Sequence, residues 1–161
     1  MELLQLFDEN QNMLNESIER DKKKEVPEGK YFMVIHLFIE NNNKFLIQKT
    51  SVNRFSEYAT TGGHVTFGDT VLKTVIKEAE EELGLILNES DIKEIEIIKE
   101  KFAYVGIYYC NKTIDISNLT LQKEEVDNVY WMSIDEINEL IKEEKFRKSN
   151  VMTFQKVLEK R

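Results

Sequence analysis

Three of the four glutamates in the segment GHVTFGDTVLKTVIKEAEEELGL, residues 63–85, have a spacing that would bring them together on a helix. Each residue turns an α-helix by about 100°, so Glu78, Glu81 and Glu82 would share one arc of about 100°. Carboxylates at this spacing repel one another unless a cation lies between them, and hard oxygen ligands suit Mg²⁺ or Mn²⁺. The spacing predicts a divalent-metal site on one face of a helix, and the alternative is a face that is only solvated.

Glycines surround this acidic helix. Gly62, Gly63, Gly68 and Gly84 lie inside or beside the segment and are four of the chain's six glycines. Glycine permits a positive φ and a close approach of the backbone to a ligand or metal. The pattern predicts a tight glycine loop from Gly62 to Gly68, a helix after it and a helix end at Gly84. This arrangement favours the metal site over the solvated face.

The segment resembles the box of the Nudix family, G-x5-E-x7-R-E-U-x-E-E-x-G-U, where U is a bulky aliphatic residue. Gly63 opens the box, Asp69 stands where the family has Glu, and Lys77 stands where it has Arg. The remaining positions match at Glu78, Ala79, Glu81, Glu82, Gly84 and Leu85. TTGGHV before the box and VDNVYWMSIDEI after it also resemble the family, so the resemblance extends over about residues 30–145.

This resemblance implies a fold and a reaction. The fold would be α/β, a Nudix α/β/α sandwich with a mixed sheet. The reaction would be hydrolysis of a diphosphate linkage in a nucleoside diphosphate linked to another group, by attack of metal-activated water at phosphorus. The resemblance assigns Glu78, Glu81 and Glu82 as catalytic residues and as ligands of Mg²⁺ or Mn²⁺. It adds the carbonyl of Gly62 or Gly63 as a further metal ligand.

Four residues are expected to support the site structurally. In the family, the residues at the positions of Asp69 and Lys77 brace the loop against the helix. Here Asp is one methylene shorter than Glu, and Lys lacks the planar guanidinium of Arg. The pair keeps its charges, so we expect Asp69 and Lys77 to lie close together. Gly63 and Gly84 are expected to support the loop and the end of the helix.

Substrate binding and proton transfer need residues outside the helix. Lys49 and Arg54 precede the glycine loop and are the nearest cations for a substrate phosphate, and His64 either donates to a phosphate or bonds to the loop. The resemblance puts a general base either on the box helix or on a loop in the second half of the chain. Glu124 and Glu125 are the loop candidates, and we expect Glu125 to be catalytic, although adjacent acids before a strand are commonly just solvated.

Two alternative functions remain open from the sequence. A Nudix-like domain can be a catalytically weak metabolite-binding or sensor domain, but this chain keeps all three helix acids. The N-terminal half also resembles the branch that includes isopentenyl diphosphate isomerases, which need a cysteine in the glycine loop. Gly62 stands at that position and Cys110 belongs to a different strand, so a hydrolase is favoured over an isomerase.

Composition limits the partners. Of the 161 residues 41% are hydrophobic and one is proline, which argues against disorder. The net charge of −8 argues against nucleic acid or an anionic membrane as the main partner. We expect a small phosphorylated, nucleotide-like substrate, and a homodimer is compatible with the sequence. Cys110 is the only cysteine, so no disulfide forms within the chain.

Targeting signals and domain limits follow from the same sequence. A cationic, apolar leader and a run of about 18 apolar residues are both absent, which predicts a cytoplasmic protein. We expect one domain over residues 1–161. It would comprise an N-terminal β-hairpin extension over 1–25, a core over 30–145 and a C-terminal helix over 149–161.

Hydrophobic periodicity predicts the elements of this domain. Residues 31–39 are nearly continuously apolar, as in a strand buried on both faces, and His36 within them is expected to be a core histidine. The charged residues 20–24 fit a solvated loop better than a phosphate clamp. Ser133 and Glu136 form a capping-box pattern before a helix over 134–144. The other predicted strands are 44–49, 92–98, 102–110 and 126–132, and residues 58–61 lead into the box.

Overall fold

The computed structural model describes residues 1–161 and contains nine strands and three α-helices. The strands are β1 (Leu3–Phe7), β2 (Met13–Glu19), β3 (Phe32–Asn41), β4 (Lys44–Thr50), β5 (Tyr58–Ala59), β6 (Thr61–His64), β7 (Lys93–Lys99), β8 (Ala103–Asn111) and β9 (Val126–Ser133). The helices are α1 (Val71–Leu83), α2 (Ile134–Lys142) and α3 (Lys148–Lys160). The predicted α/β class and the N-terminal β-hairpin are confirmed.

Strand β3 is the centre of a mixed seven-stranded sheet. It pairs parallel with β8 over its whole length, from Phe32 opposite Ala103 to Glu40 opposite Asn111. It pairs antiparallel with β6 and, at its end, with β4. Strand β7 extends the sheet beyond β8, while β5 and β9 both pair with β4.

Both faces of β3 are buried, which explains its nearly continuous apolar sequence. One face packs Ile35 and Leu37 into a core that includes Val75 and Ala79 of α1. The other face packs Phe38 into a second core, together with Ile137 of α2 and with Phe154 and Val157 of α3. The sheet therefore lies between α1 on one side and α2 with α3 on the other, in an α/β/α arrangement.

Local signals set the limits of α1. Thr70 caps its start, because the threonine hydroxyl accepts a hydrogen bond of 3.2 Å from the backbone N–H of Lys73. Gly84 ends it in the left-handed conformation with φ 66°, and its N–H donates to the carbonyl of Glu80 at 2.9 Å. Val75, Ala79 and Leu83 are fully buried, so the apolar arc of the helix faces the sheet.

The predicted glycine loop is corrected by the structure. Gly62 and Gly63 lie within β6, and of the glycines from 62 to 68 only Gly68 has a positive φ, 90°. The tight turn is shorter than predicted and is closed by the N–H of Asp69 donating to the carbonyl of Thr66 at 3.0 Å. The glycine pair serves close packing instead, since a Cβ on Gly62 would lie 2.5 Å from the carbonyl oxygen of Ile35.

Two other segments differ slightly from the sequence expectation. Residues Arg20–Glu25, predicted as a loop, form a 3₁₀ turn. Helix α2 ends at Lys142, earlier than the expected 144, and it begins with the predicted capping box of Ser133 and Glu136. No helix combines the length and the apolar composition that a membrane crossing requires.

Candidate active site

A polar cleft of about 360 Å³ opens beside β3, β4, β6 and the carboxylate-bearing face of α1. Val34 is the only hydrophobic residue that lines it. Acidic and basic side chains share the cleft: Glu2, Arg20, Arg54, Glu78, Glu81, Glu82, Glu125 and Arg147. The cleft therefore brings together the three helix acids, the predicted base Glu125 and several cations from distant parts of the chain.

Glu82 is the most enclosed of the helix acids, with 8% of its surface exposed. The amide nitrogen of Gln48 donates to its carboxylate at 3.0 Å and also to the hydroxyl of Thr61 at 2.8 Å. Burial raises the pKa of Glu82 to about 7, although the hydrogen bond from Gln48 opposes the rise. Gln48 therefore fixes the direction in which this carboxylate points.

Glu78 lies directly over the backbone of β6. A Cβ on Gly63 would come within 2.5 Å of the carboxyl carbon of Glu78, so only glycine leaves room for this side chain. Burial, followed by the negative charges of Glu82 and Glu81, raises the pKa of Glu78 to about 8. A buried and a partly buried carboxyl that repel each other next to a backbone strand form an oxygen-rich site that a cation would stabilise.

Glu81 completes the acidic face but is exposed. It lines the same cleft as Glu78 and Glu82. The carboxylates are not already gathered into a compact group of three or more ligands around one point.

The predicted pair of Asp69 and Lys77 is confirmed by the structure. The Lys77 ammonium lies 3.4 Å from one oxygen of Asp69, and Lys73 lies 3.4 Å from the other. The hydroxyl of Thr66 also donates to Asp69, at 2.9 Å. Burial opposes ionisation, but these hydrogen bonds hold the pKa of Asp69 below its usual range. Asp69 therefore ties the turn after β6 to the first two turns of α1.

Glu125 and Arg54 face each other across the cleft. The Arg54 guanidinium donates to a carboxylate oxygen of Glu125 at 2.5 Å, and both residues line the cleft. Ser51 joins the same two loops, since its backbone N–H donates to the carbonyl of Glu125 at 3.0 Å and its hydroxyl to that of Glu124 at 2.6 Å. The structure thus brings Glu125, and not the Glu124 side chain, into the cleft.

His64 lies at the end of β6 and also lines the cleft. Its ring stacks on Phe32 with centroids 5.8 Å apart, and its Nε2 lies 3.2 Å from the ammonium of Lys23. Burial, followed by the charges of Arg20 and Lys23, lowers the pKa of His64 to about 3. The imidazole is therefore neutral, and Nε2 accepts a hydrogen bond from Lys23.

Lys49 does not join the residues of this cleft. Side chains alternate between the two faces of a strand, so Gln48 and Thr50 line the cleft while Lys49 points away from it. Its ammonium lies 4.4 Å from the centroid of the Tyr58 ring. Sequence reasoning selected the nearest cation without fixing which face of β4 it occupies, and Gln48 is the residue of that strand that reaches the site.

Three functional candidates were missed or undervalued in the sequence. Gln48 is uncharged, Arg20 belongs to a segment expected to be a solvated loop, and Arg147 lies just before α3. The guanidinium of Arg147 donates to the carboxylate of Glu57 at 2.6 Å. Burial, followed by the charge of Arg147, lowers the pKa of His36 to about 4. No local motif marks Arg147, because only the tertiary fold brings residue 147 to the cleft.

His36 and Cys110 behave largely as expected. His36 is buried and its Nδ1 lies 3.0 Å from the Thr153 hydroxyl, although one edge of the ring also lines the cleft. Cys110 is a buried free thiol on β8 and does not line the cleft.

Comparison with known proteins identifies the family. The sequence profile of the NUDIX domain matches residues 30–154. The chain belongs to the Nudix family. An uncharacterized Nudix hydrolase of Clostridium acetobutylicum is 28% identical over 155 residues, covering 84% of this chain and 72% of the relative. Membership in the Nudix family supports the assignment of this chain as a hydrolase of nucleoside diphosphate derivatives.

Solved structures support the Nudix fold. DR0079 from Deinococcus radiodurans superposes with a TM-score of 0.69 at 16% identity, covering 89% of this chain and 91% of that one. The Nudix domain of NrtR from Shewanella oneidensis, solved with ADP ribose, gives a TM-score of 0.57 at 12% identity over 76% and 87% of the two chains. At these identities the likeness establishes the fold, the Nudix α/β/α sandwich.

Proposed function

We propose that this Nudix chain is a divalent-metal-dependent hydrolase that cleaves a diphosphate linkage in a small nucleotide-like molecule, a nucleoside diphosphate linked to another group. The observation that carries the proposal is the meeting of Glu78, Glu81, Glu82 and Glu125 with Arg54 and Arg147 in one polar cleft. Carboxylates can bind a metal ion or accept a proton, and guanidinium groups donate hydrogen bonds to phosphate oxygens.

The helix acids fit Mg²⁺ or Mn²⁺. Glu78 is partly buried and Glu82 is buried, and burial raises their pKa values to about 8 and about 7. A cation beside them would remove the cost of ionising them. Glu81 and the carbonyl of Gly62 complete the proposed ligand set of hard oxygen atoms. A bound divalent ion supplies neutralisation of phosphate charge and a lower pKa of water.

The chain's own residues carry the remaining work. Arg54 and His64 would orient a phosphate group of the substrate, Arg54 as a two-pronged donor and His64 through its ring nitrogen. Gln48 would keep Glu82 in a fixed direction through its 3.0 Å hydrogen bond. Glu125 would accept a proton from the attacking water at the carboxylate oxygen that otherwise bonds to Arg54.

Asp69 and Lys77 are proposed to act through the geometry of the helix acids. Their ion pair joins the turn after β6 to α1, so it would hold Glu78 in line with Gly63. Gly84 is proposed to support the site from the other end of α1, where it ends the helix in the left-handed conformation. These contacts keep ligands in place without touching substrate.

A metabolite-binding role is the second candidate. The specific observation in its favour is the ion pair between Arg54 and Glu125, the proposed base. A ligand could bind to Arg54 while Glu125 accepts no proton from water, so that no hydrolysis follows. The retention of all three helix acids favours the hydrolase. An isomerase finds no support, because Gly62 offers no thiol and Cys110 is buried away from the cleft.

The proposal is tested by a panel of nucleotide sugars, dinucleoside polyphosphates and nucleoside triphosphates, assayed with Mg²⁺ and with Mn²⁺. Glu82→Gln should reduce hydrolysis by orders of magnitude and leave the fold intact. Glu80→Gln is the matched control, since Glu80 is exposed on the same helix outside the cleft. Binding of a panel member without any hydrolysis would favour the metabolite-binding role, and equal activity in both variants would overturn the metal assignment.

A further inference from the structure

We infer that Arg20 and Lys23, on the 3₁₀ turn that follows the N-terminal hairpin, form an anion subsite with His64 that binds a phosphate group of the substrate. Only one part of this inference rests on the proposed function, namely that the bound anion is a phosphate group of the substrate. Residues 20–25 lie outside residues 30–154, which match the family profile. The two cations of the subsite therefore lie outside the matched domain, and His64 lies within it.

The hairpin holds this turn firmly against the cleft. The N–H of Gln5 donates to the carbonyl of Val65 at 3.0 Å, and the N–H of Phe67 donates to the carbonyl of Leu3 at 2.9 Å. The side-chain oxygen of Gln5 accepts from the N–H of Gly68 at 2.9 Å. These three bonds attach β1 along the segment that leads from β6 into the turn before α1.

Buried side chains add to this attachment. Leu4 and Leu6 of β1 share a small core with Phe32 of β3, and Leu4 is fully buried. The hydroxyl of Tyr104 on β8 donates to the carbonyl of Asp8 at 2.7 Å. Because β1 and β2 are fixed in this way, the 3₁₀ turn directly after β2 has a defined position beside β6, and its cations are not those of a free tail.

One cation of the turn lines the cleft, and a second lies beside His64, which also lines it. Arg20 lines the cleft, and its guanidinium donates to Glu2 at 2.8 Å. The ammonium of Lys23 is half-buried, lies 3.2 Å from His64 Nε2 and stands over the Phe32 ring at 5.5 Å from its centroid. Lys23 forms no salt bridge with a carboxylate, unlike Arg20, and the charge of Glu2 acts on it only from a longer distance.

A phosphate group supplies what this arrangement lacks. An ammonium and a guanidinium beside a neutral imidazole offer charged N–H donors, and phosphate oxygens accept such hydrogen bonds strongly. Glu2 is exposed and bonds only to Arg20, so an incoming phosphate can take its place. The same cleft carries the helix acids, so one end of a diphosphate would meet the proposed metal ligands while the other meets Arg20 and His64, which Lys23 contacts.

The test measures binding of inorganic pyrophosphate by isothermal titration calorimetry in EDTA, without metal and without turnover. Lys23→Gln should weaken pyrophosphate binding about tenfold, the usual scale for losing one charge-assisted hydrogen bond. Lys24→Gln is the matched control, because it removes the same charge from an exposed neighbour on the same turn. Its affinity should equal that of the wild type.

Arg20→Gln provides a second variant and should also weaken binding, with unfolding temperatures measured for all variants to confirm folding. Failure of the wild type to bind pyrophosphate, or equal losses in Lys23→Gln and Lys24→Gln, would overturn the subsite. The outcome is separable from the proposed function. If no panel substrate is hydrolysed but Lys23→Gln alone among the lysine variants loses pyrophosphate binding, the subsite stands and the hydrolase assignment falls.

Discussion

Replacing Glu78 by Gln should stabilise the metal-free protein at neutral pH. The folded-state pKa of Glu78 is raised from 4.5 to about 8 by burial and by the charges of Glu82 and Glu81. A carboxyl with a raised folded pKa destabilises the fold progressively as the pH rises from its unfolded to its folded pKa. The penalty is therefore small near pH 5 and approaches its full size near pH 8. Glutamine has the same shape and removes the charge.

The magnitude follows from the shift. A pH of 7.5 lies about three units above the ordinary pKa of a glutamate. At about 1.4 kcal/mol per unit, the destabilisation by Glu78 has an upper bound of about 4 kcal/mol. Glu78 is only partly buried, and solvent screening reduces this to about 2 kcal/mol. For a chain of this length that corresponds to a rise of about 4–8 °C in Tm. In excess Mg²⁺ the order should reverse, because the wild type gains stability by binding metal and the variant loses a ligand.

The assay is thermal unfolding followed by circular dichroism between pH 5.5 and pH 8, in EDTA and in MgCl₂. Glu80→Gln removes the same charge from an exposed position on α1 and should change Tm little at any pH. The reasoning is refuted if Glu78→Gln lowers Tm in EDTA at pH 7.5, or if its effect does not grow with pH.

Four other variants probe the residues around the site. Lys77→Ala should lower turnover much more than Tm, because a partly exposed ion pair contributes up to about 1 kcal/mol to stability. The double variant Asp69→Glu with Lys77→Arg should keep or raise turnover. Steady-state kinetics and thermal unfolding check both predictions. Glu125→Gln should lower kcat yet tighten pyrophosphate binding measured by calorimetry, because Arg54 loses its 2.5 Å carboxylate partner. Gly63→Ala should weaken Mg²⁺ affinity, measured by calorimetry, since its Cβ would meet a helix carboxyl at 2.5 Å.

Much of the fold was predictable because its signals are local. The apolar run of β3 reflects burial on both faces, and Gly84 marks the end of α1 through its left-handed conformation. The pairing of Asp69 with Lys77 followed from their places in the box, eight residues apart across a turn and a helix start. The acidic face of α1 needed only the helical period. Each of these predictions depends on residues that are near one another in the chain.

The rest of the site depends on tertiary contacts that no local pattern encodes. Arg147 reaches the cleft from the residue before α3, and Arg20 from the turn after the hairpin. Lys49 was chosen for its charge, but the pairing of β4 turns Gln48 toward the cleft instead. Gly62 was expected to provide loop conformation, whereas the structure needs it for the close approach of β6 to β3. Strand register and long-range packing decide all four positions.

The central claim is metal-dependent attack of water at phosphorus in this cleft. The most direct measurement is hydrolysis of a nucleoside diphosphate-linked substrate in water labelled with heavy oxygen, with the products analysed by mass spectrometry in the presence and absence of Mg²⁺. The account predicts one labelled oxygen on a phosphate-containing product, with label incorporation that requires Mg²⁺ or Mn²⁺ and is lost in Glu82→Gln. Label on a hydroxyl of the second group, released together with an intact nucleoside diphosphate, would contradict it, and so would undiminished labelling in Glu82→Gln.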